Sequence, residues 1–169
     1  AWVGIFQHQK NIPLLYKTAK KLTDIEFRIA GEVIDNPDKN TQNALTELKT
    51  LNNVTFVGYL TREKIQPFLS KALCLLNTSL YEGFPNTFLE SFAVGTPVVT
   101  TEDIDPDQII MRYSLGKTTN NPNELFDLLR KRKKRNNIIL TPHEGEFNRL
   151  FNFGNMNKID KANKAAEIT

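Results

Sequence analysis

Glu82 and Glu90 are the residues whose spacing most suggests chemistry. They stand with seven residues between them in Ser79-Leu80-Tyr81-Glu82-Gly83-Phe84-Pro85-Asn86-Thr87-Phe88-Leu89-Glu90. An apolar run ends just before this stretch, and a helical pattern begins inside it, at Asn86 or Thr87. A glycine at Gly83 lets the backbone come close to a ligand. The N–H groups and positive dipole end of the helix suit a diphosphate. Glu90 falls one turn into that helix, where its carboxylate can accept hydrogen bonds from two neighbouring hydroxyls, as a ribose offers. Glu82, in the loop, can hold a sugar hydroxyl in the same way. The residues also allow a plainer reading. Thr87-Phe88-Leu89-Glu90 is a capping-box pattern in which Glu90 caps its own helix, and Glu82 is then a solvated loop carboxylate.

The elements around this segment must hold it in place. Residues 2–6, 26–30, 54–57, 73–77 and 97–100 read as short apolar strands. Between them, residues from Pro13 to Leu22, then 38–51, 61–71 and about 87–94, carry apolar positions at helical spacing. The run 73–77 is nearly all apolar, as a strand covered on both faces should be. Residues 109–113 form a short helical turn, and 123–132 a last helix. Strand and helix alternate with short connections, which predicts an α/β fold: a three-layer Rossmann-like parallel sheet with helices on both faces. In such sheets ligands bind beyond the carboxyl ends of the strands.

Bulk properties narrow the classes. The chain has 169 residues, 40% hydrophobic and 24% charged, the balance of a soluble globular domain. Its formal charge of +3 is too small to imply nucleic acid by itself. The excess gathers in Arg130-Lys131-Arg132-Lys133-Lys134-Arg135, read as a solvated helix end suited to the helix dipole. A phosphate-contacting role in a basic nucleic-acid-binding protein is the alternative. The single cysteine, Cys74, lies in an apolar run and reads as a buried strand thiol. With no disulfide framework, a cytoplasmic location is expected. No apolar run approaches membrane-spanning length. The sequence begins inside a strand-like run, so a preceding segment is expected.

The motifs resemble the donor-binding, C-terminal domain of the GT-B retaining glycosyltransferases of group 1, also called family four. Glu82 and Glu90 match that family's E-x7-E motif, with Ser79 ahead and Ala93-Val94-Gly95-Thr96-Pro97-Val98-Val99 behind. Trp2-Val3-Gly4 with Lys10-Asn11, Arg28-Ile29-Ala30-Gly31, Val54 to Tyr59, Pro106 to Ile110 and Leu115-Gly116 are similar to further family segments in the expected order. The likeness spans residues 1–130, a nucleotide-sugar-binding domain. It implies a UDP-, GDP- or ADP-sugar donor and no metal cofactor. Glu90 would bind the ribose and Glu82 the transferred sugar. The backbone of Gly83, Phe84, Pro85, Asn86 and Thr87 would meet the sugar and diphosphate. Lys10 would neutralise the leaving diphosphate, and Gly58 and Tyr59 would lie near the base. The family commonly has an arginine where this chain has Ile5, which leaves one cation instead of two, with His8 as a weak substitute. A GT-B enzyme also needs an N-terminal acceptor domain, so the chain alone should not transfer sugar. Peripheral membrane contact would come through that missing half. A non-catalytic nucleotide-binding module is the alternative.

Residues 131–169 read as a basic linker with an appended αβ segment. Asn137 to His143, with Gly145-Glu146-Phe147 and Arg149-Leu150, resemble part of the ADP- or ATP-dependent NAD(P)H-hydrate dehydratases. Glu144 stands where that family has proline, and its phosphate loop and catalytic aspartate are absent. The resemblance implies a chimera or a dehydratase fragment without dehydratase activity. His143 reads as an exposed ring at a helix start.

Overall fold

The computed structural model describes residues 1–33 and 36–133. Six strands and six helices alternate along these residues. They are β1 (Trp2–Val3), α1 (Ile12–Lys21), β2 (Phe27–Ala30), α2 (Lys39–Leu48), β3 (Val54–Gly58), α3 (Arg62–Leu69), β4 (Leu75–Leu76), α4 (Asn86–Ala93), β5 (Val98–Thr100), α5 (Ile109–Arg112), β6 (Gly116–Thr118) and α6 (Pro122–Lys133). Two short 3-10 turns, His8–Lys10 and Pro106–Gln108, complete the set.

The strands form two parallel ladders, β1-β2-β3 and β4-β5-β6. Two backbone bonds join them. The Ala1 nitrogen donates to Cys74 O, and the Leu76 N–H donates to Ala1 O, both at 2.8 Å. One residue bonding to the two neighbours of its partner is the parallel pattern. The strands therefore run β3-β2-β1-β4-β5-β6, and the order reverses between β1 and β4. That reversal is where an open α/β sheet forms its ligand crevice.

Alternation along the strands explains the three layers. Trp2, Phe27, Ile29, Leu76 and Val99 belong to one buried cluster, with the inward residues of α1, α2 and α6. Ala30, Leu75 and Val98 belong to the other, with those of α3, α4 and α5. Neighbours such as Leu75 and Leu76 serve opposite faces because side chains alternate along a strand. Both must be apolar, and the sequence obliges.

The apolar positions at helical spacing fall mostly inward: Ile65, Phe68 and Leu69 are buried, as are Leu15, Ala19 and Leu22, while Leu14 is half-buried. Several boundaries differ. Regular pairing in β1 stops at Val3, although Gly4 and Phe6 still donate to Ala30 O and Glu32 O at 3.0 Å. Cys74 is buried just ahead of β4 rather than within it. The strand β6 was not anticipated.

The carboxyl ends of the first three strands lie close together. Gly4 donates to Ala30 O at 3.0 Å, and Gly31 donates to Gly58 O at 2.9 Å. A Cβ on Gly31 would lie 1.9 Å from Gly4 O, so only glycine permits the approach.

At the opposite end, Asn53 ties the elements together. Its side-chain amide donates to Ala19 O, Leu22 O and Ile25 O at 2.9–3.0 Å. It thereby holds the end of α1 against the start of β3. Asn53→Ala should cost about 1–3 kcal/mol, the range for leaving partly buried carbonyls unpaired. Urea unfolding should show a lower midpoint at unchanged slope. An unchanged midpoint would contradict this role.

Candidate functional site

The site assembles where β1 and β4 diverge. After β1 the chain makes the His8–Lys10 turn, and after β4 it makes the loop through Glu82. Backbone and side-chain bonds join the two segments. Leu80 N–H donates to Gln9 O at 2.8 Å. Thr78 Oγ1 donates to Lys10 O at 2.7 Å and accepts from Trp2 Nε1 at 3.1 Å, deep in the core. This clamp brings Lys10 and Glu82, far apart in sequence, into direct contact. Lys10 Nζ forms an ion pair with Glu82 Oε1. Both side chains are largely withdrawn from solvent, with 19% and 11% of their surface exposed.

Glu82 has further partners. Ser79 Oγ donates to the same Oε1 at 2.8 Å, and Gln9 Nε2 reaches Oε2 at 3.4 Å. Ser79 itself is buried, its N–H donating to Asn77 Oδ1 at 2.9 Å. Asn77 Oδ1 also accepts from Thr100 Oγ1 on β5 at 3.4 Å. The carboxylate therefore rests on side chains anchored in the sheet, and it is not a solvated loop residue.

Next to it α4 begins at Asn86, with Pro85 as the cap residue. Pro85 is buried, while Gly83, Phe84 and Asn86 are exposed and Thr87 is half-buried. Among the described residues nothing lies within 4 Å of where a Cβ on Gly83 would stand, so the backbone there is open to an approaching group. Among the described residues, no side chain caps the helix start. Phe88 N–H donates to Pro85 O at 2.9 Å. The amides of Asn86 and Thr87 precede any carbonyl of their own helix that they could reach.

This corrects the capping-box reading. The helix begins one residue before Thr87, so Thr87 lies inside it rather than at its cap. Among the described residues, no hydrogen bond or ion pair engages the Glu90 carboxylate. Glu90 is half-buried, and burial raises its pKa above the ordinary carboxylate value. Arg62, at the start of α3, pulls the other way. Helix α3 packs against α4, and the turn between β3 and α3 leads into it. The turn carries Gly58, in a left-handed conformation at φ 75°, and Tyr59, which is 65% exposed.

Two groups thus stand near the strand ends. One is Lys10 with Glu82; the other is Glu90 on α4, the helix that packs against α3 with Arg62 at its start. Ile5 is exposed and supplies no charge. His8 Nδ1 lies 3.8 Å from Asp38 Oδ2, at the cap of α2. Gln9 and Arg62 escaped the sequence reading. Gln9 adjoins Lys10, but no periodicity or charge pattern singles it out. His143, residues 134–135 of the basic run and the segment resembling the dehydratases lie outside the described residues. No helix of the described residues is long and apolar enough to cross a membrane.

An open parallel sheet whose strand order reverses at its centre, with helices on both faces, defines a Rossmann-like α/β domain. The chain belongs to the family Glycosyl transferases group 1, whose model matches residues 1–139. It is 30% identical over 125 residues to the O-antigen biosynthesis glycosyltransferase WclY of Escherichia coli, covering 74% of this chain and 34% of that protein. It is 28% identical over 104 residues to the lipopolysaccharide core biosynthesis glycosyltransferase LpsE of Rhizobium meliloti, covering 62% and 29%. The chain thus spans about a third of the length of the curated relatives it matches. Among solved structures, S. aureus TarM, in a complex with fondaparinux, alpha-GlcNAc-glycerol and UDP, superposes with a TM-score of 0.62 at 24% identity over 79% of this chain and 28% of that one. The catalytic domain of the Helicobacter pylori cholesterol-alpha-glucosyltransferase gives 0.60 at 17% identity over 99% and 98%. These likenesses show the fold.

Proposed function

We propose that this chain binds a nucleoside-diphosphate sugar and forms the donor half of a retaining glycosyltransferase. The observation that carries this reading is the Lys10–Glu82 pair at the switch point, next to a helix start that no side chain caps. Glu90 accepts hydrogen bonds from the ribose hydroxyls, and Gly58 with Tyr59 borders the base. The open backbone from Gly83 to Thr87 meets the sugar and diphosphate, with the helix dipole favouring the negative charge. Lys10 neutralises the diphosphate as it leaves, and Glu82 holds the transferred sugar. Ile5 supplies no second cation, so Lys10 carries more of that charge. The donor needs no metal in this reading. An acceptor domain completes the cleft, and the acceptor hydroxyl attacks from the face that the diphosphate leaves. The likeness to TarM, solved in a complex that includes UDP, supports a nucleotide as the ligand class.

Calorimetric titration with UDP, GDP and ADP tests the reading. Saturable binding of one of them is expected; no binding of any would overturn it.

A pH dependence follows from Glu90. Burial raises its pKa, so it gains a proton at a higher pH than an ordinary carboxylate. A protonated carboxyl is a poorer acceptor for two ribose hydroxyls. Nucleotide affinity should therefore fall as pH drops through that raised value, and Glu90→Gln should flatten the profile. Stability moves oppositely. The folded chain binds this proton more readily than the unfolded chain, so stability falls as pH rises between the two pKa values. Glu90→Gln should thus stabilise the unliganded chain at neutral pH while weakening binding. A destabilised Glu90→Gln would contradict the burial argument.

A further inference from the structure

Gln9 touches the loop that carries Glu82 at three successive residues. Its backbone carbonyl accepts from Leu80 N–H at 2.8 Å. Its side-chain Nε2 donates to Tyr81 O at 2.8 Å and reaches Glu82 Oε2 at 3.4 Å. Its Oε1 accepts from Gln7 Nε2 at 3.1 Å. The two contacts of Nε2 fix which way the amide faces. Turned over, Gln9 would set an oxygen against the Tyr81 carbonyl and the Glu82 carboxylate, which can only accept.

The two oxygens of Glu82 are held unequally. Oε1 takes both the Lys10 ammonium and the Ser79 hydroxyl. Among the described residues, Oε2 has only the long contact to Gln9, which leaves lone-pair capacity for a ligand hydroxyl. We propose that Gln9, oriented by the Tyr81 carbonyl, is a positioning residue for Glu82. It anchors the Tyr81 carbonyl and turns Oε2 toward the sugar of the bound donor. This rests on the donor-binding reading, in which Glu82 meets the sugar and Glu90 the ribose.

The division of contacts supplies the test. Gln9→Met keeps length and bulk but removes the donor. Binding of the nucleoside diphosphate that the chain accepts, and of its glucose conjugate, would be measured by calorimetry. The variant should bind the conjugate roughly tenfold more weakly, the size of one hydrogen bond to a charged group. The unconjugated nucleotide should bind as to the parent. On a Glu82→Ala background, Gln9→Met should add no further loss, because the carboxylate it positions is gone. A general structural defect would instead weaken both ligands alike and add to Glu82→Ala, and either result would overturn the proposal. Failure of the parent chain to bind any nucleotide would overturn the donor-binding reading itself. So would a Glu82→Ala variant that binds the conjugate normally, leaving Gln9 nothing to position.

Discussion

Replacing Glu90 with alanine should lower nucleotide affinity by about a hundredfold or more while leaving the fold intact. The size follows from two hydrogen bonds between a carboxylate and the ribose hydroxyls. Each bond to a charged group contributes about 1.5–3 kcal/mol, and about 1.4 kcal/mol is a factor of ten. The intact fold follows from what Glu90 does without ligand. No hydrogen bond or ion pair engages it among the described residues, and its charge is disfavoured by burial. Truncation therefore removes an unfavourable charge and opens no buried gap. Titrating UDP, GDP and ADP against the variant, with urea unfolding as control, separates the outcomes. Unchanged affinity would sink the ribose assignment. A loss of binding matched by a large loss of stability would show that Glu90 holds the helix instead.

This contrast decides between the two readings that the sequence leaves open. Thr87 to Glu90 has the composition of a capping box, and composition cannot say where the helix begins. Pro85 settles it. Proline fixes φ near −65° and suits a helix entrance, and Pro85 stands at φ −68° with α4 starting directly after it. Thr87 is thereby drawn inside the helix. Capping is a question of one or two residues, which is the scale on which sequence patterns lose resolution.

The layers of the fold were legible for a simple reason. Residue pairs such as Leu75-Leu76 and Val98-Val99 face opposite helical layers, so both members must be apolar. An unbroken apolar run is then the signature of a covered strand. The strand β6 lacks that signature. Its Gly116-Lys117-Thr118 lies at the sheet edge, half-buried at its ends and exposed at Lys117. A Cβ on Gly116 would fall 1.8 Å from Val98 O, so close strand approach selects a residue that sequence patterns associate with turns. The site divides in the same way. The E-x7-E spacing and the lysine could be recognised one at a time. Their contact could not, because it depends on the hydrogen bonds from Thr78 Oγ1 to Lys10 O and from Leu80 N–H to Gln9 O, which join the ends of two strands. Gln9 and Arg62 belong to that tertiary layer and leave no periodic trace.

The contact between Lys10 and Glu82 leads to a second large effect, in which stability and binding respond separately. Lys10→Met would leave the Glu82 carboxylate, only 11% exposed, with Ser79 and Gln9 but without its cation. Removing one member of a buried pair strands the other charge. For this incompletely buried pair the expected loss is about 2–3 kcal/mol, read from the urea midpoint. Neutralising both partners, as Lys10→Met with Glu82→Gln, should recover most of that stability. It should not recover the nucleotide, because the diphosphate loses a cation that Ile5 does not replace. Affinity for the nucleoside diphosphate should stay about 10–100-fold below the parent, the range for a lost charge-assisted bond. A double variant that binds normally would remove Lys10 from the diphosphate. A double variant as unstable as Lys10→Met would show that Lys10 supports the fold through its stem, not its charge. Glu82→Gln alone completes the cycle. It frees Lys10 from its carboxylate, so the bare nucleotide should bind as well as to the parent or better, while the nucleotide sugar should bind more weakly. Opposite responses of the two ligands to one substitution are expected only if the ion pair is shared between the two ends of the donor.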